Sequence, residues 1–143
     1  MKAYLDNGAT TMTDPSVLKE MSPFYTETYG NPSSIHQAGQ EAKRFMEEAR
    51  EAVARKLNAS YEEIIFTSGG TESDNLALKG VAFANREKGN HIITTKIEHP
   101  AVLKTCKFLE DHDFKVDYLD VDKEGFISLE DFENKITDKT ILV

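Results

Sequence analysis

From Glu63 onward, short apolar runs alternate with helical stretches, and this rhythm restricts the fold more than any other feature of the chain. "EIIFT" (Glu63–Thr67), "HIITT" (His91–Thr95), "FKVDYLD" (Phe114–Asp120) and "TILV" (Thr140–Val143) read as strands. Between them, Thr71–Asn85, the segment opening at Pro100, and "SLEDFENKI" read as helices. Pro100 suits a first helical position, where the missing N–H costs no hydrogen bond. Ser128 stands as N-cap, with Asp131 three residues on. Strand–helix repetition of this kind implies a parallel sheet covered on both faces.

The first sixty residues follow another pattern. "AYLD" (Ala3–Asp6) reads as a short extended start, and Asp14 before Pro15 marks a helix start. Val17, Leu18, Met21, Phe24 and Tyr25 share one face, and Pro23 should kink or restart that helix. "YGNPSS" is a turn-rich break. Ala38, Ala42, Phe45, Ala49, Val53 and Leu57 then recur at steps of three and four, which predicts an amphipathic helix from about His36 to Leu57.

Composition narrows the function. The 143 residues amount to one domain, and 39% apolar with 29% charged residues is ordinary for a globular protein. A net charge of −8, from 17 basic and 25 acidic residues, argues against nucleic acid as partner. Cys106 is the single cysteine, so an internal disulfide and a multi-cysteine zinc site are excluded. There is no signal-type apolar core and no run of membrane-spanning length, which predicts a cytoplasmic protein without a membrane partner. "NAS" at Asn58 is then a chance match to the glycosylation pattern. The last strand, "TILV", has no loop or polar tail after it, which leads us to expect a truncated chain.

At "FTSGGTESDN" (Phe66–Asn75) a strand hands over to a helix through two glycines. Ligands of open α/β sheets sit at such strand ends, where the N–H groups and dipole of the next helix suit a phosphate. The hydroxyls of Ser68 and Thr71 can add hydrogen bonds. The turn lacks the lysine of a Walker A loop and does not match G-x-G-x-x-G, so a monophosphate fits better than a nucleotide. The competing reading is a plain connection with Thr71 as cap. On the same rim, "TTKIEHPAVL" places His99 between a strand and Pro100. Histidine there can stack on an aromatic ligand and move a proton; it can equally cap the next helix.

"YLDNGATT", "GNPSSIHQAGQEA", "IIFTSGGTESDNLALKG", "NHIITTKIEHPAVL" and "VDKEGFISLEDF" together resemble successive blocks of the cysteine desulfurases, in the class V aminotransferase group of pyridoxal-phosphate enzymes. The likeness is to the nitrogenase and iron–sulfur type and runs along essentially the whole chain. It implies the N-terminal part of a fold-type I pyridoxal-phosphate-dependent transferase, an α/β fold with a mostly parallel sheet flanked by helices. Residues 1–14 would be an N-terminal arm or small-domain segment, and residues 15–143 the first part of the large cofactor domain. The implied reaction converts L-cysteine to L-alanine and leaves an enzyme persulfide. The implied partners are an iron–sulfur scaffold or another sulfur acceptor, and a second subunit in a homodimer. By the same resemblance Gly70 and Thr71 hold the phosphate of pyridoxal 5′-phosphate, and His99 stacks on its ring and assists proton transfer.

The family also uses a lysine in a Ser-x-His-Lys context, an Asp and a Gln on the cofactor, and a cysteine on a mobile loop. None is identifiable in these residues, so the 143 residues alone are expected to be inactive. Cys106, inside the helix after His99, reads as a buried small hydrophobe. Asn7, Thr10 and Thr11 read as loop residues, and Gly8 loosens that loop. His36 suits a helix start. Glu72 and Asp74 suit a helix dipole, and Lys96 reads as solvated. Another class V enzyme is the nearest alternative, and a non-catalytic remnant is a further one. A rival of a different class is a calcium loop over Asp120–Asp131 ("DVDKEGFISLED"), with acids at its first, third and fifth places and Gly125 at the sixth. Its twelfth place is Asp131 rather than Glu, and a strand-like segment precedes it, which favours a simple turn.

Overall fold

β1 (His91–Thr95) is the middle strand of a three-stranded sheet in the computed structural model, which describes residues 3–143. β2 (Lys115–Leu119) lies on one side of it and β3 (Thr140–Leu142) on the other, and both pairings are parallel. All three strands fall within segments that the apolar runs marked out. The chain divides into two compact units, one ending at Ile65 and the other spanning Phe66–Val143.

In the second unit, α4 (Gly70–Ala84) precedes β1, α5 (Pro100–Glu110) joins β1 to β2, and α6 (Leu129–Lys135) joins β2 to β3. The chain moves one way across the sheet from β1 to β2, and the other way from β2 to β3. Parallel crossovers keep one hand, so two moves in opposite directions place their helices on opposite faces. The side chains follow. Ile92 packs on one face with Ala82 of α4 and Leu109 of α5, joined by Phe114, and this is the buried core. Ile93 and Leu119, on the other face, share a cavity lining with Phe132 of α6. Ser128 caps α6 by accepting from the Asp131 N–H at 3.2 Å, as its place in the sequence predicts.

His91, only 6% exposed, ties the three strands together. Its Nδ1 lies 2.8 Å from the Thr140 hydroxyl of β3, and its Nε2 lies 3.1 Å from Asp117 Oδ2 of β2. Lys135 of α6 approaches the other Asp117 oxygen at 3.7 Å. The Thr140 oxygen accepts the Thr137 N–H at 2.8 Å, so its own proton is free for Nδ1, and Nε2–H is left to donate to the carboxylate. Every polar atom of this buried ring is thereby satisfied, as burial demands. Gly89 completes the junction, because a Cβ there would collide with the Lys139 backbone.

The first unit is helical. α1 (Pro15–Met21) starts at Asp14, whose carboxylate accepts from the Ser16 N–H at 2.8 Å, and Pro23 begins α2 (Pro23–Thr26) rather than extending α1. α3 (Gln37–Leu57) is capped by His36, whose Nδ1 accepts from the Gly39 N–H. The expected strand Glu63–Thr67 does not form. Glu63 instead ends a 3-10 turn (Tyr61–Glu63), closed by reciprocal hydrogen bonds between Ser60 and Glu63. The Ile64 carbonyl is taken by Arg50 of α3. A strand exists only by pairing, and the described sheet pairs β1 with β2 and β3 and holds no partner for this run. "AYLD" is likewise irregular where described.

His91→Ala should lower stability by about 2–3 kcal/mol, since it removes two hydrogen bonds and leaves a void between strands. Thr140→Val should cost less, because His91 keeps Asp117. Urea midpoints with unchanged slope would register both changes.

Candidate functional site

α4 packs against α5, and the cavity between them is lined by residues from the start of each helix. Gly69 is the N-cap of α4 and is extended (φ 161°, ψ 179°), a conformation open to any residue. A Cβ on Gly69 or Gly70 would meet nothing within 4 Å. Neither backbone strain nor packing among the described residues therefore calls for glycine here. No side chain caps the helix start, so the first N–H groups of α4 have no side-chain acceptor, an arrangement that suits an anion. The Thr71 hydroxyl, in the second position, has no partner among the described residues.

Ser68 is committed differently from the sequence expectation. Its N–H and its hydroxyl both donate to Glu72 Oε2, at 2.7 and 2.6 Å. These bonds hold the Glu72 carboxyl below the usual carboxylate range, the hydroxyl contributing most. Thr67 and Ser73 join their hydroxyls at 2.6 Å across the same turn. The turn is thus braced from its own side chains, with the glycine edge and Thr71 left bare.

His99 caps α5: its Nδ1 accepts from the Ala101 N–H at 3.1 Å. That bond uses the Nδ1 lone pair and directs the ring proton to Nε2. The capping reading and the ligand reading are therefore compatible, since one nitrogen holds the helix and the other is free. Thr71 and His99 line a single cavity of about 270 Å³, together with Asn75, Lys79, Lys104 and Thr105. Gly70 adjoins Thr71 at the first position of α4. Asn75 escaped the sequence reading; it donates to the Thr71 carbonyl at 2.9 Å, and its spacing of four from Thr71 was the available signal.

Other residues resolve more simply. Cys106 is fully buried, and burial, then the Glu110 and Glu98 carboxylates, push its thiol up, away from the reactive thiolate. Lys96 is not merely solvated: its ammonium reaches both oxygens of Asp120 at 2.7 and 2.8 Å. Asp120 opens the supposed calcium loop, and Asp122, its third position, accepts from the Glu124 and Phe126 N–H groups of its own turn. Gly125 takes φ 91° at the bend, and β2 rather than a helix precedes it. Among the described residues no group of three or more His, Cys, Asp or Glu is placed to hold a metal.

The class-V aminotransferase family matches residues 3–143. The chain belongs to that family. Its curated relatives include the cysteine desulfurase IscS of Clostridium botulinum (strain Kyoto / Type A2), 59% identical over 142 residues, which cover 99% of this chain and 36% of the relative. The IscS of Methanosarcina thermophila is 54% identical over 140 residues, 98% of this chain and 35% of the relative. Among solved structures, a NifS-like protein superposes with a TM-score of 0.90 at 50% identity, over 98% of this chain and 38% of its own. SspA in complex with cysteine gives 0.86 at 41%, over 97% and 40%. The chain thus spans a little over a third of the length of the proteins it matches, and its fold is that of their parallel-sheet domain flanked by helices. No helix among the described residues is long and apolar enough to cross a membrane.

The Ser68 amide should report the Glu72 carboxyl. Because that carboxyl titrates below its ordinary 4.5 in the folded chain, the hydrogen bond contributes fully above that value and is lost as pH falls through the lower, folded one. The Ser68 amide shift in NMR should move with a midpoint below 4.5, and Glu72→Gln should flatten the curve.

Proposed function

We propose that this chain supplies the phosphate-binding and ring-stacking half-site of a cysteine desulfurase that uses pyridoxal 5′-phosphate. The observation that carries the reading is the shared cavity of Thr71 and His99 beside two glycines at which a Cβ would meet nothing among the described residues. Similarity above 50% to proteins named cysteine desulfurase points the same way. Gly70 and Thr71 hold the phosphate with the N–H groups of α4 and the Thr71 hydroxyl. His99 stacks on the ring and moves a proton through Nε2, while Nδ1 stays on Ala101. When bound, the cofactor supplies an electron sink, through which the C–S bond of L-cysteine can be broken.

In the whole protein the sulfur passes through an enzyme persulfide to an iron–sulfur scaffold or other acceptor, and the enzyme works as a cytoplasmic homodimer. Residues 1–14 would belong to an N-terminal arm or small-domain segment and residues 15–143 to the first part of the large cofactor domain. The persulfide thiol is not Cys106, which is buried and has its thiol held protonated.

A chimera tests the assignment: these residues replace the matching 142 of the Clostridium botulinum relative. His99→Ala in the chimera should keep the cofactor absorbance and lose about 10²–10⁴-fold in alanine formation. Thr71→Val should weaken cofactor binding by roughly tenfold, the worth of a hydrogen bond to a charged group. Turnover within about twofold for His99→Ala would remove the proton-transfer role.

The 143-residue chain alone, given pyridoxal phosphate, L-cysteine and a reductant, should yield no alanine above a cofactor-only control. Alanine that disappears with Cys106→Ala would refute the reading of that thiol.

A further inference from the structure

The cavity that holds Thr71 and His99 continues along the groove between α4 and α5. On α4, Thr71, Asn75 and Lys79 follow at steps of four and share a face, with Lys79 about 12 Å along the axis from Thr71. On α5, Lys104 and Thr105 line the opposite wall. Two of the lining residues are lysines and none is acidic, in a chain where acids outnumber bases by 25 to 17.

Neither lysine is neutralised. Lys104 has no partner among the described residues. The Lys79 ammonium lies 4.3 Å from the Phe108 ring centroid, a contact that leaves its charge intact. Lys96, Lys107, Lys123 and Lys135 of the same unit are each paired with a carboxylate, and Lys88, Lys115 and Lys139, which have no such pair among the described residues, do not line this cavity. Glu72 and Asp74, within the first five residues of α4, and Glu98, next to His99, oppose an incoming anion.

We infer that Lys79 and Lys104 form an electrostatic funnel that draws a phosphate monoester dianion along the groove to Thr71 and His99. The inference rests on the phosphate reading of that site. Lys79 stands too far down α4 to touch a phosphate at the helix start, so its contribution is to the field and to the association rate. A cleft lined by one sign of charge raises on-rates by about 10–10³-fold, an effect that falls with ionic strength. A net charge of −8 would otherwise repel a ligand carrying about two negative charges above pH 6.

The test is stopped-flow fluorescence with pyridoxine 5′-phosphate, whose lack of an aldehyde prevents adventitious reaction with the same lysines. At about 10 mM ionic strength, where screening reaches about 30 Å, Lys79→Gln/Lys104→Gln should bind roughly tenfold more slowly than wild type. At about 1 M, where screening reaches about 3 Å, the difference should vanish. Dissociation should stay unchanged, and pyridoxine without phosphate should show no salt dependence. The Lys43→Gln/Lys56→Gln control alters net charge equally and should match wild type. Equal slowing in that control, or a change confined to dissociation, would overturn the funnel. Absence of any wild-type binding would instead overturn the Thr71–His99 phosphate site, and the funnel with it.

Discussion

The second unit depends on β1 holding the middle of its sheet. β2 and β3 touch β1 and not each other, so the sheet holds together only while β1 is paired on both edges. His91 secures both edges at once, with a hydroxyl from β3 on one ring nitrogen and a carboxylate from β2 on the other. Parallel pairs gain less per residue than antiparallel ones, and β3 is three residues long. Side-chain bonds across the strands therefore matter more here than in a long ladder. At the opposite end of β1, Lys96 bonds through its N–H to the Leu119 carbonyl of β2, at 3.0 Å, and through its ammonium to Asp120, just beyond β2. His99 lies three residues beyond, on a loop anchored to the same two strands.

The turn before α4, proposed above as the phosphate site, is braced and bare together. Bracing by Glu72, Thr67 and Ser73 takes the hydroxyls that could have capped α4 and turns them toward the loop itself. The N–H groups of the first helical turn keep their dipole and lack an internal acceptor, a cost the fold carries unless an anion or water meets them. Glycine at positions 69 and 70 leaves the backbone open there, since a Cβ at either place would meet nothing within 4 Å among the described residues.

Much of this was legible from residue pattern because the relevant forces are local. The starts at Asp14, His36 and Ser128 are caps that act within three residues, and strands β1 and β2 carry their own β-branched or alternating runs. The run at Glu63–Thr67 misled because strand formation is not local; it needs a neighbour, and Ser60 and Arg50 offered its polar groups other partners. Lys96 looked solvated because its partner, Asp120, is 24 residues away. The same limit hid Lys79 and Lys104. Only the packing of α4 against α5 places them on one groove, and only a full account of ion pairs shows that they have none.

His99 unites the two kinds of information. Sequence placed it between a strand end and a helix-starting proline, where capping and catalysis were rival explanations. The geometry shows the cap, on Nδ1, and leaves Nε2 open for the role proposed above. A cap needs the Nδ1 lone pair, and a proton on Nδ1 would remove it, so proton exchange at this residue must pass through Nε2 if α5 is to keep its start. The cap also restricts the ring's rotation, which a stacking surface requires, because a freely turning ring would pay its rotamer entropy on binding. Capping is thus part of the means by which His99 could serve a ring ligand, and replacing it by a residue that caps but cannot stack, such as Asn, separates the two roles: α5 would keep its start while the proton and the stacking face are lost.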